Sequence, residues 1–163
     1  MKIAIVTGSN GLVGSEAVKF LIKKKYRVLG VDNNLRKYFF GKDGDTKWQL
    51  KNFKKYKLFE NYSYDIRNYL KLRTIFQKFK KKIDVIIHCA AQPSHDWAAK
   101  EPLTDFSINA NGTLNLLELT RQYTPQAKFI FLSSNNHHYL HSIVAYLVYC
   151  GQPYHKNQLL LVD

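Results

Sequence analysis

The stretch Thr7-Gly8-Ser9-Asn10-Gly11-Leu12-Val13-Gly14 decides how the rest of this chain is read. Its three glycines, at spacing three, stand between an apolar run, Ile3-Ala4-Ile5-Val6, and an amphipathic segment from about Gly11 to Lys24. Glycine has no Cβ, so the backbone can turn sharply here and lie against a pyrophosphate. The helix that follows presents unpaired N–H groups and the positive end of its dipole to the same anion. Strand, glycine turn and helix in that order read as a dinucleotide-binding loop and not as a plain turn. Gly8, Asn10, Gly11, Leu12, Val13 and Gly14 are its candidate cofactor contacts.

Outward from the octet, strands and helices alternate. Strand one is Lys2–Val6 and its helix has Val13, Ala17, Phe20 and Leu21 on one face. Strand two is Arg27–Val31, ending at Asp32. Residues 33–57 are polar and lysine-rich and read as a loop excursion with a short helix near Trp48–Phe53. A weaker strand three spans Leu58–Tyr64 and ends at Asp65. A helix over Asn68–Lys81 buries Leu72, Ile75, Phe76 and Phe79. Strand four, Val85–Cys89, is the continuous apolar run of a strand covered on both faces. A long helix over Leu103–Tyr123 carries Phe106, Ala110, Leu114, Leu117 and Arg121 along one stripe. Strand five is Lys128–Leu132, followed by Ser133-Ser134. This rhythm predicts an α/β fold, a Rossmann-like three-layer α/β/α with a parallel sheet of order 3-2-1-4-5. The ligand is expected outside the carboxyl ends of the strands, between strands one and four.

Bulk properties narrow the classes. With 163 residues and 45% hydrophobic side chains, the chain is long and apolar enough for one globular domain. No apolar stretch reaches the length of a bilayer span, and Met1-Lys2 followed directly by a strand does not read as a signal peptide. Cys89 and Cys150 make no disulfide framework, so a reducing, cytoplasmic setting is expected, with Cys89 an inert core residue. The net charge of +13 invites a nucleic-acid partner. That reading is set aside, because Lys23-Lys24-Lys25 and Lys80-Lys81-Lys82 fall at helix C-terminal ends, where cations complement the dipole. A non-enzymatic dinucleotide-binding or basic nucleic-acid-binding module is the alternative to an enzyme part.

Specific residues carry the chemistry. Asp32 follows Gly14 by 18 residues, where a carboxylate accepts from both adenosine ribose hydroxyls and repels a 2′-phosphate. NAD is therefore favoured over NADP as cofactor. Asn33 stands beside it. Arg36 either stacks on adenine or bridges to a phosphate, or faces solvent. Asp65, with Ile66 next to it, either accepts from the adenine amino group or caps the helix starting near Asn68. Small residues at Ala90 and Ala91 let the backbone approach the cofactor, and Gln92 is placed to point toward substrate. His88, inside an apolar run, reads as a satisfied buried histidine, and His95 as an exposed loop residue. Asn109 sits within a packed helix face, where its amide needs partners; holding the loop after strand four beside the cofactor would supply them. No metal site is indicated.

Together the residues resemble the extended short-chain dehydrogenase/reductase superfamily, specifically its NAD-dependent epimerase/dehydratase family. The pieces are Thr7–Gly14, Asp32-Asn33, Asp65-Ile66-Arg67-Asn68, His88-Cys89-Ala90-Ala91-Gln92, Asn109-x-x-Gly112-Thr113 and Ser133-Ser134-Asn135. The finer pattern of Gln92-Pro93-Ser94 with Asn115-Leu116-Leu117-Glu118 and Ser133-Ser134-Asn135 looks most like the CDP-paratose 2-epimerase (CDP-tyvelose epimerase) branch. The resemblance implies tightly held NAD, a nucleotide-sugar substrate (a CDP-sugar above others), and epimerisation through transient oxidation of the sugar. It implies Ser134 as the catalytic Ser/Thr after strand five, with Ser133 beside it among the cofactor contacts. It leaves open a homo-oligomer through a helix pair.

The resemblance stops near residue 135. In this family a Tyr-x-x-x-Lys helix supplies the base, the tyrosine pKa being lowered by the lysine and the nicotinamide charge. Here Tyr139, Tyr146, Tyr149 and Tyr154 are followed four residues later by Ile143, Cys150, Pro153 and Gln158. Composition changes at the same place: after Ser134 the only charged residues are Lys156 and Asp163, while four of the six histidines fall there. Residues 1–134 are expected to be the NAD-binding domain and 135–163 an atypical tail, with the family's sixth strand and substrate domain missing. Strand five is then an open edge unless the tail covers it. A frameshift, a truncation or genuine divergence would each produce this pattern.

Overall fold

Five consecutive apolar or small residues, Ile3–Thr7, form β1, and all five are buried because helices cover both faces of the strand. Their side chains alternate between two cores. Ile3 and Ile5 join one side, Ala4 and Val6 the other. The computed structural model describes residues 1–132 and 159–162. After β1 come α1 (Leu12–Lys23), β2 (Arg27–Val31), α2 (Arg36–Phe40), α3 (Lys47–Phe53), β3 (Phe59–Tyr62) and α4 (Tyr69–Phe79). Then follow β4 (Ile83–His88), α5 (His95–Lys100), α6 (Pro102–Phe106), a π turn (Ser107–Asn111), α7 (Gly112–Tyr123), β5 (Lys128–Leu132) and β6 (Leu159–Val162).

All strand pairs are parallel and the sheet order is β3-β2-β1-β4-β5-β6. The first five strands follow the expected order. The edge left open at β5 unless the tail covered it is covered by the tail, and the expectation of a missing sixth strand is corrected: β6 pairs with β5, Phe129 to Leu159 through Leu132 to Val162. The run Leu159-Leu160-Leu161-Val162 is apolar throughout, which suits a parallel strand, but it is too short to stand out from a helix segment by periodicity.

One core side packs α4 and α7 on the sheet, with Leu72, Ile75, Phe76, Phe79, Leu116 and Leu119. Burying each of these side chains contributes about 1.5–3 kcal/mol. The other side packs α1 and α3, through Val18, Leu21 and Phe53. Asn68 caps α4, its Oδ1 accepting from the N–H of Lys71 at 3.0 Å, so that role falls to Asn68 and not to Asp65.

Two helix faces differ from the sequence pattern. In α1, Val13 and Phe20 face outward, 55% and 57% exposed, while Gly14, Ser15, Val18 and Leu21 are buried. The cause is the close approach at Gly14: a Cβ there would lie 2.1 Å from the Gly8 carbonyl oxygen. That contact turns the Gly14–Val18–Leu21 line inward. In the long helix, Phe106 and Leu114 also face outward. The buried line runs instead through Ile108, Ala110, Thr113, Leu116, Leu119 and Thr120. The π turn inserts an extra residue and changes the helical phase at that point.

Residues 33–57 are more ordered than a loop. Besides the helix expected near Trp48–Phe53, observed as α3, there is α2, which forms because Phe39 is buried against the α4–α7 core. Among the described residues no helix is long and apolar enough to cross a membrane.

Candidate cofactor-binding site

The carboxyl ends of β1, β2, β3 and β4 open into one pocket of about 270 Å³. The glycine octet forms one wall, with Gly8, Gly11, Leu12, Val13 and Gly14 on the pocket. Gly8 has φ +63°, and a Cβ there would sit 2.8 Å from the Ala90 nitrogen, so only glycine lets the octet pass this close to the chain after β4. The octet is tied to β2 by two bonds: Gly8 N–H donates to the Val31 carbonyl at 2.8 Å, and Asn10 N–H donates to Asp32 Oδ2 at 3.0 Å. Asn10 itself does not line the pocket.

Asp32 stands where β2 ends. Its Oδ1 accepts from the Asn34 N–H at 2.8 Å, so each carboxylate oxygen holds one backbone donor and keeps a lone pair. Burial raises its pKa above the usual carboxylate value, against the pull of the two backbone donors. Asn33 and Arg36 also line the pocket. The Arg36 guanidinium lies 4.6 Å from the Phe40 ring centroid, an intrachain stacking partner.

Asp65 and Ile66 form the β3 side of the pocket. The Asp65 carboxylate is fully engaged within the chain. Oδ1 accepts from Arg67 N–H at 2.8 Å and Nε at 3.0 Å; Oδ2 accepts from Arg67 Nη2 at 2.6 Å and Asn33 Nδ2 at 2.9 Å. Burial opposes its ionisation, but the Arg67 and Asn33 bonds outweigh that and hold its pKa below the ordinary value.

On the β4 side the pocket meets Cys89, Ala90, Ala91 and Pro93. Burial pushes the Cys89 thiol up to about 12, so it stays protonated and unreactive. Gln92 is turned away from the pocket and 5% exposed. Its Nε2 donates to Asp105 Oδ1 at 2.9 Å and to the Ser94 carbonyl at 2.8 Å, and its Oε1 accepts from Ser94 N–H at 2.5 Å. The expected orientation toward substrate is therefore corrected. The amide is consumed in fastening its own loop.

Asn109 is on the π turn, off the pocket wall. Its Oδ1 accepts from Gln92 N–H at 2.9 Å, and its Nδ2 donates to the Gln92 carbonyl at 3.2 Å and to Asp105 Oδ1 at 3.0 Å. Asp105, Gln92 and Asn109 thus close a ring that holds the loop after β4. Beneath it His88 is fully buried. Thr113 Oγ1 donates to the Asn109 carbonyl at 2.6 Å and so must accept from His88 Nε2 at 3.0 Å. His88 Nδ1 then accepts from Thr7 Oγ1 at 2.6 Å, while Thr7 Oγ1 accepts from Ala90 N–H at 3.2 Å. Burial lowers the imidazole to about 4, and it is neutral. His95 is exposed at the start of α5. Ser133 and Ser134 lie outside the described residues.

Sequence reading missed the pocket residues Leu35, Phe39, Thr46, Tyr64 and Ile108, and it missed Asp105. The aromatic run Tyr38-Phe39-Phe40 inside a polar segment was the available signal for Phe39. For Asp105 it was the spacing of four to Asn109 on a helical stretch. Among the described residues no group of His, Cys, Asp or Glu could hold a metal.

An octet pressed against two neighbouring strand ends, beside a carboxylate with a free lone pair on each oxygen, defines a dinucleotide-binding Rossmann-type domain. The residues fit such a group: Gly8, Gly11 and Gly14 put bare backbone on the pocket wall, in a turn packed so closely on itself and on the chain after β4 that a Cβ at Gly8 or Gly14 would clash, and Asp32 lines the same pocket. The sequence matches the NAD-dependent epimerase/dehydratase family over residues 4–139, and the chain belongs to that family. It is 33% identical to UDP-glucuronate 4-epimerase of Thermodesulfobacterium geofontis, across 94% of this chain and 43% of that protein. It is 32% identical to CDP-paratose 2-epimerase of Salmonella typhi, across 80% of this chain and 36% of that one. Among solved structures, the Thermus thermophilus UDP-glucose 4-epimerase complex with NAD superposes with a TM-score of 0.64 at 28% identity, covering 82% of this chain and 38% of that one. The chain thus spans about two-fifths of the length of the curated relatives it matches.

Proposed function

We propose that residues 1–134 form the NAD-binding part of a nucleotide-sugar epimerase, and that 135–163 form a tail of different composition whose strand β6 completes the edge of the same sheet. The observation that carries this reading is Asp32, set at the end of β2 across from the octet, each oxygen still able to accept a ribose hydroxyl. Its negative charge disfavours a 2′-phosphate, so NAD is the dinucleotide and not NADP. Ala90 and Ala91 supply the small contacts on the nicotinamide side, and the Asp105–Gln92–Asn109 ring keeps them in place.

NAD, when bound, supplies reversible hydride acceptance for the sugar alcohol. A CDP-sugar is the proposed substrate, on the strength of Gln92-Pro93-Ser94, Asn115–Glu118 and the CDP-paratose 2-epimerase relative. Ser134 is the proposed Ser/Thr of the active site. No tyrosine after it has a lysine four residues on, so a base of lowered pKa is missing and the chain alone does not turn over. Calorimetric titration with NAD and NADP, paired with an NMR assay on CDP- and UDP-sugars, tests both halves. NAD binding without epimerisation is the expected outcome. Epimerisation by the purified chain would overturn the inactivity, and absence of NAD binding would overturn the reading as a whole.

A further inference from the structure

The segments that follow β2 and β4 touch each other. Trp97 on α5 donates its indole Nε1–H to the Phe39 carbonyl on α2 at 2.8 Å. Tyr38 OH donates to Glu101 Oε1 at 2.8 Å. The Trp97 ring lies 5.5 Å from that of Phe39 and 5.6 Å from that of Tyr38. These residues are 58 and 63 positions apart in sequence, so no local propensity brings them together.

Their place in the topology gives the contact a consequence. β2 and β4 flank β1 in the sheet, and the glycine octet leaves the carboxyl end of β1 between them. The bridge from α2 to α5 joins the segments that follow the two strands on either side of β1. Arg36 and Phe39 on one half of the bridge line the pocket, and Pro93 lines it just before the other. The α5 half is firmly based: Ser94 caps it, and Gln92 is fastened to Asp105. The α2 half is a five-residue helix between two residues of positive φ, Asn34 at +60° and Gly41 at +59°, where the chain changes direction. Phe39 anchors α2 in the core and Lys37 Nζ ties it to Asp45 at 2.8 Å, just after it in the chain; the bonds to Trp97 and Glu101 are those that join it to α5.

We propose that α2 is a strap, latched to α5 by Trp97 and Tyr38, that closes the pocket over a bound dinucleotide and sets how slowly it leaves. The inference rests on the NAD reading of the same pocket. Trp97 and Tyr38 act as positioning residues through Phe39 and Arg36, without touching the cofactor. Opening the latch frees the far wall while leaving the octet and Asp32 unchanged. Removing the latch therefore speeds release far more than it slows capture.

The test is a chase experiment on the full chain loaded with radiolabelled NAD. Trp97→Phe keeps an aromatic ring and deletes the indole donor; Tyr38→Phe deletes the hydroxyl. The double variant is expected to release NAD at least about tenfold faster, with an association rate within about threefold of wild type. Glu101→Ala is expected to raise the release rate, and Glu101→Gln, which still accepts from Tyr38, to restore it; a merely structural role would not separate these two. Equal release rates in wild type and the double variant overturn the strap while leaving the NAD reading intact. A wild-type chain that holds no NAD overturns the NAD reading, and the strap with it.

Discussion

The backbone N–H of Asn10 donates to Oδ2 of Asp32 across 3.0 Å, joining the glycine octet to the end of β2. One carboxylate thereby braces the glycine octet and lines the pocket, where the NAD proposal sets it against the ribose. Replacing Asp32 by Ala removes the acceptor for both purposes. A hydrogen bond to a charged group is worth about 1.5–3 kcal/mol, so loss of about 2 kcal/mol weakens NAD binding about 30-fold. NADP gains relative to NAD, because the charge that opposes a 2′-phosphate is gone. Titration calorimetry with the two dinucleotides reads both effects; unchanged preference in Asp32→Ala would remove Asp32 from the site.

Gly14→Ala tests the close packing of α1 on the octet. The added Cβ would lie 2.1 Å from the Gly8 carbonyl oxygen and 2.8 Å from its carbon, and neither backbone atom can rotate away. Overpacking of this kind costs about 1–3 kcal/mol, which in a chain of this size lowers Tm by several degrees. NAD binding falls with it, since the octet must move. A variant with wild-type Tm and affinity would contradict the geometry of this turn.

The parts of the fold readable from sequence were those with local causes. The octet announced itself through glycine spacing, and α4 through Leu72, Ile75, Phe76 and Phe79, which are all buried. The face of α1 was misread because hydrophobicity pointed to Val13 and Phe20, whereas a backbone contact at Gly14 sets the orientation. The π turn at 107–111 has no compositional mark, yet it changes the stripe of the following helix. Asp65 stood out as an acid at a strand end, but its engagement by Arg67 and Asn33 depends on side-chain conformations. The Trp97–Phe39 bridge joins residues distant in the chain, and periodicity carries no information about such pairs.

Asp105 accepts from both Gln92 and Asn109 through the same oxygen, Oδ1. This geometry separates two variants. Asp105→Asn retains an acceptor oxygen there and should stay close to wild type. Asp105→Ala leaves the buried Gln92 amide and the half-buried Asn109 amide each short of one acceptor, at a cost of about 1–3 kcal/mol. Thermal unfolding should show the difference, and the Gln92 amide, held by Asn109, should exchange with solvent faster in the alanine variant. Equal behaviour of the two variants would mean that the ring does not hold the loop.

His88 makes stability depend on pH in a defined window. Burial lowers its pKa from 6.5 to about 4 in the folded chain. Between those values the unfolded chain binds a proton that the folded chain does not, so stability rises with pH there. The full stability is present above pH 6.5 and declines as pH falls toward 4. The linkage amounts to about 2 kcal/mol at pH 5 and about 3 kcal/mol at the lower limit. Protonation would also place the ring's second hydrogen on Nδ1, which now accepts from Thr7, and so break the Ala90–Thr7–His88 chain beneath the pocket. Urea denaturation at pH 7.5 and pH 5.0 measures the effect. His88→Asn, less stable at neutral pH, should lose most of the dependence; an equally steep profile in that variant would assign the titration to another group.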